Sequence, residues 1–328
     1  MASDGAHAHK RLHSVKTQTI TSNGWKITTR KGPIISDHHV DEFRQAVGCG
    51  EGVRALPEML FSSSRVTLEH EASGLALDFT AADALKGWVS EALPPLQVKV
   101  AQEWQRARRH EIEAQKAVQL EYDWTFTTPY TGTVVPTQRA HEPTGPGDVG
   151  HYSSSSSSTA SGSGGAGDAQ APVQAQVQLP EWEETSEQID RALLMERDPI
   201  LFFDEVVLYE SDLDDNGVAQ MSAKLRVMPR AWLLLLRFWL RVDGCMVRVR
   251  EARLFCRTDS AEARSRIIRE VKWCEGEFGT LRAAGAPGDG PAYADGDAAS
   301  GVFQAVAPTG LKHFALSKLT MPTKTSHA

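Results

Sequence analysis

Asp243-Gly244 stands between two long apolar alternations, and this restricts the fold more than any other feature of the chain. Asp-Gly suits the left-handed backbone of a tight hairpin, so the flanking runs read as paired antiparallel strands rather than as a helix. A two-residue turn predicts that Val242 pairs with Cys245, Leu240 with Val247 and Phe238 with Val249, with six apolar side chains on one face. The other face then pairs Arg237 with Arg250, Trp239 with Arg248 and Arg241 with Met246, giving a basic surface around a tryptophan. Glu251 falls opposite Leu236, an acid entering the apolar face, with Arg253 two residues on.

The same reading extends outward from the hairpin. Residues 200–209 and 219–228 alternate like strands, so a meander of 200–209, 219–228, 231–242 and 245–256 is expected. Ile267, Val271 and Cys274 predict a helix over 260–274. Ahead of the meander, Thr185 and Gln188 have capping-box spacing before Ile189, Ala192 and Leu193. In the first half, Trp25 to Arg30 reads as a strand. Ser36 and Asp37 open a helix with Val40, Phe43 and Val47 on one face, and Gly48 stops it. Val66/Leu68/His70 and Leu75/Leu77/Phe79 form a second hairpin. Thr80 caps a helix holding Asp83, residues 101–117 read as helical, and Tyr122 to Thr128 as a strand.

Low complexity divides these parts. Residues 131–180 are rich in Gly, Ser, Pro and Gln, with six consecutive serines at 153–158, and read as a disordered insertion. The expected organisation is a loose tail over 1–22, a first half-core over 23–130, the insertion, a second half-core over 181–277, and a mostly disordered tail over 278–328. Each half has too few strands to close a core alone. The fold class is therefore a single α+β domain, mainly antiparallel sheet with peripheral helices.

Composition narrows the chemistry. A net charge of −7 gives no electrostatic case for nucleic acid or an anionic membrane. The four cysteines form no CxxC pair. With no signal-like segment, the expected location is the cytoplasm, with the nucleus as a second compartment. Asp212 to Gly217 matches the first half of a calcium loop, but its twelfth position is Ala223. His38 and His39 with Asp41 and Glu42 suggest a metal-dependent hydrolase, yet no third ligand is identifiable and the acids suit a helix's first turn. No nucleophile elbow, phosphate loop or dinucleotide fingerprint is present. No cofactor and no metal are expected. The Arg237/Trp239/Arg248/Arg250 face reads either as a solvated sheet face or as a docking face for acidic groups. Asp83 reads as a capping acid or a groove-lip acid, and Glu251 as a partner of Arg253 or a recognition carboxylate.

Several long segments carry a resemblance in order: Leu56-Pro57-Glu58-Met59, Tyr122 to Thr128, Phe202 to Glu210, Asp215-Asn216-Gly217, Leu225 to Pro229 and Leu235 to Gly244. Together they resemble the TIP-forty-one-like family (TIPRL), regulators in TOR signalling. The resemblance implies a non-catalytic protein that binds the catalytic subunits of type 2A-class serine/threonine phosphatases (types 2A, 4 and 6). It further implies shared binding with the alpha-four-type phosphatase partner and contact with the phosphatase's C-terminal tail. The groove it implies includes Asp83, Ile189, Val249 and Glu251; the family usually has Met where Val249 stands, Asp where Glu251 stands and Asp where Pro129 stands. A third reading is a generic scaffold regulated by phosphorylation of the serine-rich insertion.

Overall fold

The structure, a computed structural model, describes residues 14–48, 56–86, 96–97, 119–120, 129–140, 179–196, 199–213, 217–288, 290–306 and 309–322. Two antiparallel sheets face each other across one core. The smaller has five strands: β1 (Lys16–Ser22), β2 (Trp25–Lys31), β4 (Arg65–His70), β5 (Leu75–Thr80) and β8 (Thr133–Pro136), in the order β1-β2-β4-β5-β8. The larger has eight, in the order β3-β10-β11-β12-β13-β14-β15-β9. Its long members are β10 (Phe202–Ser211), β11 (Gly217–Met228), β12 (Ala231–Val242), β13 (Met246–Arg257), β14 (Arg266–Glu277) and β15 (Leu311–Thr320). The two-residue strands β3 (Met59–Leu60) and β9 (Glu183–Glu184) sit at its edges, and a separate pair joins β6 (Leu96–Gln97) to β7 (Gln119–Leu120). Mainly antiparallel sheet is thus the observed class, and the four-strand meander is present.

The inner faces follow strand alternation. Trp25, Ile27, Val66, Leu68, Leu77 and Phe79 meet Val206, Met221, Leu234, Leu236, Phe238 and Leu254 in one buried cluster. Trp25 joins the sheets: its ring lies edge-on to Trp232 at 5.1 Å, and its Nε1 donates to the Arg264 carbonyl at 3.0 Å. Thr29 Oγ1 donates to Asp204 Oδ2 at 2.6 Å, and Lys31 pairs with the same carboxylate, so Asp204 ties β10 to β2. Helix α1 (Asp37–Ala46) and the five-residue α2 (Ala81–Leu85) appear where expected, the latter capped by Thr80.

Four expectations need correction. The 1–22 tail contains β1, because Asn23 and Gly24 take positive φ (48° and 81°) and make a two-residue hairpin with β2. Within 131–180, Thr133–Pro136 form β8 on β5, followed by the short helix α3 (Thr137–Ala140) with Ala140 buried against Ala76 and Val135. The helix expected over 260–274 is strand β14: Ile267 and Val271 point inward and Ile268 and Cys274 outward. Two buried faces erase the simple alternation and mimic helical spacing. Finally, 278–328 holds α5 (Phe278–Ala283), α6 (Gly296–Ala305) and β15. The expected helix over 101–117, the strand over 122–128 and most of the insertion lie outside the described residues.

The helix expected after Thr185 is the shorter α4 (Arg191–Met195). Its cap is Asp190, which accepts from the Leu193 N–H at 3.0 Å, so Ile189 precedes the helix. Removing residues 311–328 tests the reassigned C-terminus. Leu319 and Met321 are fully buried, and the Met321 N–H donates to the Ser265 carbonyl at 2.7 Å. At about 1.5–3 kcal/mol for each such side chain, urea unfolding should show a loss of roughly 3–6 kcal/mol. An unchanged urea midpoint would return the segment to a loose tail.

Candidate partner-binding site

The β12–β13 hairpin positions most of the singled-out residues, and its register differs from the two-residue expectation. The loop has three residues, Asp243-Gly244-Cys245, closed by the Cys245 N–H on the Val242 carbonyl at 3.0 Å, with Gly244 at φ 70°. Three-residue hairpins place a left-handed residue late in the loop, and Gly244 serves there without a Cβ clash. Val242 therefore pairs with Met246, Leu240 with Arg248, Phe238 with Arg250, Trp239 with Val249 and Arg237 with Glu251. Every β13 side chain thus lies on the face opposite to the expected one.

The expected basic face is consequently divided. Arg248 and Arg250 point into the sandwich, where their guanidinium carbons lie 5.5 and 3.8 Å from the centre of the Trp273 ring. Arg248 Nε also donates to Glu275 Oε2 at 2.6 Å. Arg237 and Trp239 are on the outer face, both buried. Trp239, Val247, Val249 and Cys274 pack there beneath Leu281 of α5 and Val302 and Phe303 of α6.

Glu251 lies on that outer face too, only 3% exposed, so it does not interrupt an apolar strip. Its Oε1 accepts from Arg237 Nε at 2.9 Å, and its Oε2 from Arg253 Nη2 at 2.6 Å. The chain of charges continues at both ends. Arg237 Nη1 donates to Asp297 Oδ1 and Lys224 Nζ to Asp297 Oδ2, each at 2.7 Å. Arg253 Nη1 reaches Glu270 Oε1 at 3.0 Å, and Arg191 Nη2 reaches Glu270 Oε2 at 2.9 Å. Burial works against the Arg237 charge, but Glu251 and Asp297 outweigh it and hold its pKa above the usual guanidinium value. Partial burial would likewise raise the Asp297 pKa, yet hydrogen bonds from Lys224 and Arg237 bring it below the ordinary carboxylate value. Asp297 stands in the first turn of α6, whose cap Asp295 accepts from the Ala298 N–H at 2.8 Å. Sequence reasoning missed Asp297 because it placed the segment in a disordered tail; Asp295 three residues before Ala298 was the available capping signal.

The four groove residues implied by the resemblance are not gathered in one depression. Val249 is covered by α6. Ile189 lies at the far end of the same outer face with Phe255, Ile268, Met228 and Leu193. Its neighbours Gln188 and Asp190 line a cleft of about 840 Å³, rimmed by Arg257, Asp259, Glu262 and Arg266. Asp83 belongs to the smaller sheet's side: its N–H donates to Thr80 Oγ1 at 3.1 Å and Oδ1 pairs with Lys86 at 3.3 Å. It lies near Tyr130, whose hydroxyl donates to the Asp78 carbonyl at 2.9 Å; burial, then the Asp83 charge, raise that phenol's pKa. Tyr130 also lines a 190 Å³ cleft with Phe238, Arg250, Glu251 and Trp273.

The metal alternative finds His38 and His39 in the first turn of α1, with His39 Nδ1 2.8 Å from Ser36 Oγ. Among the described residues no group of three or more His, Cys, Asp or Glu is placed to hold a metal ion. Part of the Asp212–Gly217 loop lies outside them. No described helix is long and apolar enough to cross a membrane.

The sequence model of the TIP41-like family matches residues 59–282, from β3 through β14 into α5. The chain belongs to the TIP41-like family. The "TIP41-like protein" of Arabidopsis thaliana is 36% identical over 306 residues, 92% of this chain and 90% of that protein. The human "TIP41-like protein" is 32% identical over 257 residues, 78% of this chain and 76% of that one. The "Type 2A phosphatase activator TIP41" of Saccharomyces cerevisiae is 28% identical over 273 residues, 79% of this chain and 63% of that protein. In this TIP41-like chain the matched stretch holds Glu251, Arg237, Arg253 and Glu270, whereas Asp297 and β15 lie beyond it.

Asp297 gives a pH test of the charge chain. Its folded pKa lies below its ordinary value of 3.8, so the unfolded chain takes up that proton first. Its contribution to stability is full above the unfolded pKa, is lost as pH falls through 3.8 toward the folded pKa, and is absent below it. Asp297→Asn should remove this part of the acid dependence in urea unfolding curves between about pH 5 and 2; curves that run parallel to wild type would refute the pairing.

Proposed function

We propose that the chain is a non-catalytic regulator that binds the catalytic subunit of type 2A-class serine/threonine phosphatases. The observation that carries this reading is membership of the TIP41-like family together with the name of the Saccharomyces cerevisiae relative, type 2A phosphatase activator TIP41. The finer reading comprises the type 2A, 4 and 6 enzymes as partners, contact with the phosphatase C-terminal tail, shared binding with the alpha-four-type partner, and a role in TOR signalling in the cytoplasm and nucleus.

Among the implied residues the Asp83 side chain is 13% exposed, while Ile189, Val249 and Glu251 are buried. Asp83 stands on a short helix at the margin of the smaller sheet, with its carboxylate engaged only by the exposed Lys86 among the described residues. Ile189 sits beside the open 840 Å³ cleft, where apolar Phe255 and Ile268 form the floor and charged side chains the rim. An apolar floor with a charged rim is a suitable seat for a protein segment, the charges fixing register. Val249 and Glu251, buried beneath and beside α6, support the face in this reading rather than touch the partner.

Calorimetry with a purified type 2A catalytic subunit tests it. Wild type should bind, and Asp83→Lys should weaken binding at least tenfold, about 1.4 kcal/mol, while leaving the thermal unfolding cooperative. An unchanged dissociation constant would remove Asp83 from the interface. No binding by the folded wild type to types 2A, 4 or 6 would reject the function itself.

A further inference from the structure

The 840 Å³ cleft beside Ile189 has two walls and a floor. One wall is the stretch from Glu187 to Asp190 that leads into α4. The other is the turn from Asp259 to Ala263 between β13 and β14. Phe255 and Ile268 form the floor and pack with Ile189. A cavity of this size suits a ligand as large as a few residues of peptide.

Two arginines tie the walls together. Arg257 pairs with Asp259 on one wall and lies 4.0 Å from Asp190 on the other. Arg266 pairs with Glu187 at 3.4 Å and with Glu262 at 3.3 Å. Each guanidinium is thus shared by two carboxylates, so acids outnumber bases in both groups. The neighbouring arginines are engaged elsewhere. Arg264 lies over Gly24 and donates from Nε to the Ser260 carbonyl at 3.2 Å, Arg230 pairs with Glu196, and Arg269 stacks on Trp182. The surplus of acid continues along the first wall. Residues 181–190 hold Glu181, Glu183, Glu184, Glu187 and Asp190 and no lysine or arginine. Lys318 lies 3.9 Å from Glu183, while Glu181 and Glu184 are exposed and have no ion-pair partner among the described residues.

We propose that this cleft receives a basic segment of a partner protein. Its lysine or arginine side chains meet the four carboxylates of the walls, and an apolar side chain between them rests over Phe255 and Ile268. An incoming cation need not break the existing pairs. Glu187 meets Arg266 through Oε2 and Glu262 meets it through Oε1, so each has its second oxygen unengaged among the described residues. Exposed pairs of this kind are individually weak and screened by salt, so they select the sign of the ligand's charge while the floor adds contact area. The inference rests on reading the cleft as a seat for a protein segment; it adds the chemistry of that segment, whichever protein supplies it.

The test uses the full chain and a fluorescent peptide in which lysines alternate with leucines, read by anisotropy at low salt and by amide hydrogen exchange. The peptide should bind, and exchange at 259–263 should slow about tenfold while α1 is unaffected. Replacing its lysines by glutamates should weaken binding at least tenfold, and replacing its leucines by serines at least threefold. Glu187→Lys/Glu262→Lys should weaken the lysine peptide at least tenfold. Asp41→Lys/Glu42→Lys, the same change of charge at exposed positions of α1, should alter binding less than twofold. Glu262→Gln, at a side chain 85% exposed, should weaken it about threefold and replaces the double variant if that fails to fold. Absence of binding, binding without slowed exchange at 259–263, or equal losses in the two double variants would overturn the proposal. Peptide binding without binding of phosphatase types 2A, 4 or 6 would reject the phosphatase reading alone and support this one. Phosphatase binding without peptide binding would overturn this one alone.

Discussion

The pairing of Glu251 with Arg237 and Arg253 is the interaction on which the rest of the large sheet depends. It is buried on the outer face, and removing one member would leave an uncompensated charge there. It also selects the hairpin register. A shift by one residue to the two-residue loop would set Arg237 opposite Arg250 and press Glu251 against Leu236. Like charges opposite each other and an acid against a leucine both oppose that arrangement, so the three-residue loop at Asp243-Gly244-Cys245 prevails.

The register then decides what the two faces become. Val247 and Val249 turn outward and require a cover, which α5 and α6 provide, while Arg248 and Arg250 turn inward against Trp273. Asp297 fastens α6 to the same charge chain through Arg237 and Lys224. The strand carrying the implied binding residues is therefore buried on both faces. Among the described residues, open surface near the implied residues lies at the cleft beside Ile189.

Much of the fold was legible where one face of a strand is buried and the other is not. The β4–β5 hairpin, the Thr80 cap and the β10–β13 meander follow from alternation and turn chemistry. Legibility failed where both faces are covered. In β14 the residues Ile267, Ile268, Val271 and Cys274 serve two cores, and the resulting spacing imitates a helix. The β15 strand was hidden by its own composition: small inward residues Ala315 and Ser317 give little apolar signal, and β14 supplies the pairing that orders it. The correct hairpin register was within reach, since the Arg237–Arg250 and Leu236–Glu251 conflicts both vanish on a one-residue shift. The charge chain was only half legible, because Asp297 and Glu270 come from segments read as tail and helix.

A double-mutant cycle between Arg237 and Glu251 tests the central claim most directly. Arg237→Met, Glu251→Leu and the combined variant would be compared by urea unfolding at neutral pH. The buried pairing predicts that each single change costs about 3 kcal/mol or more and the combined change far less than their sum, with a coupling of about 2 kcal/mol or greater. Additive losses, with a coupling under about 0.5 kcal/mol, would mean that the two side chains do not face each other and would contradict the register.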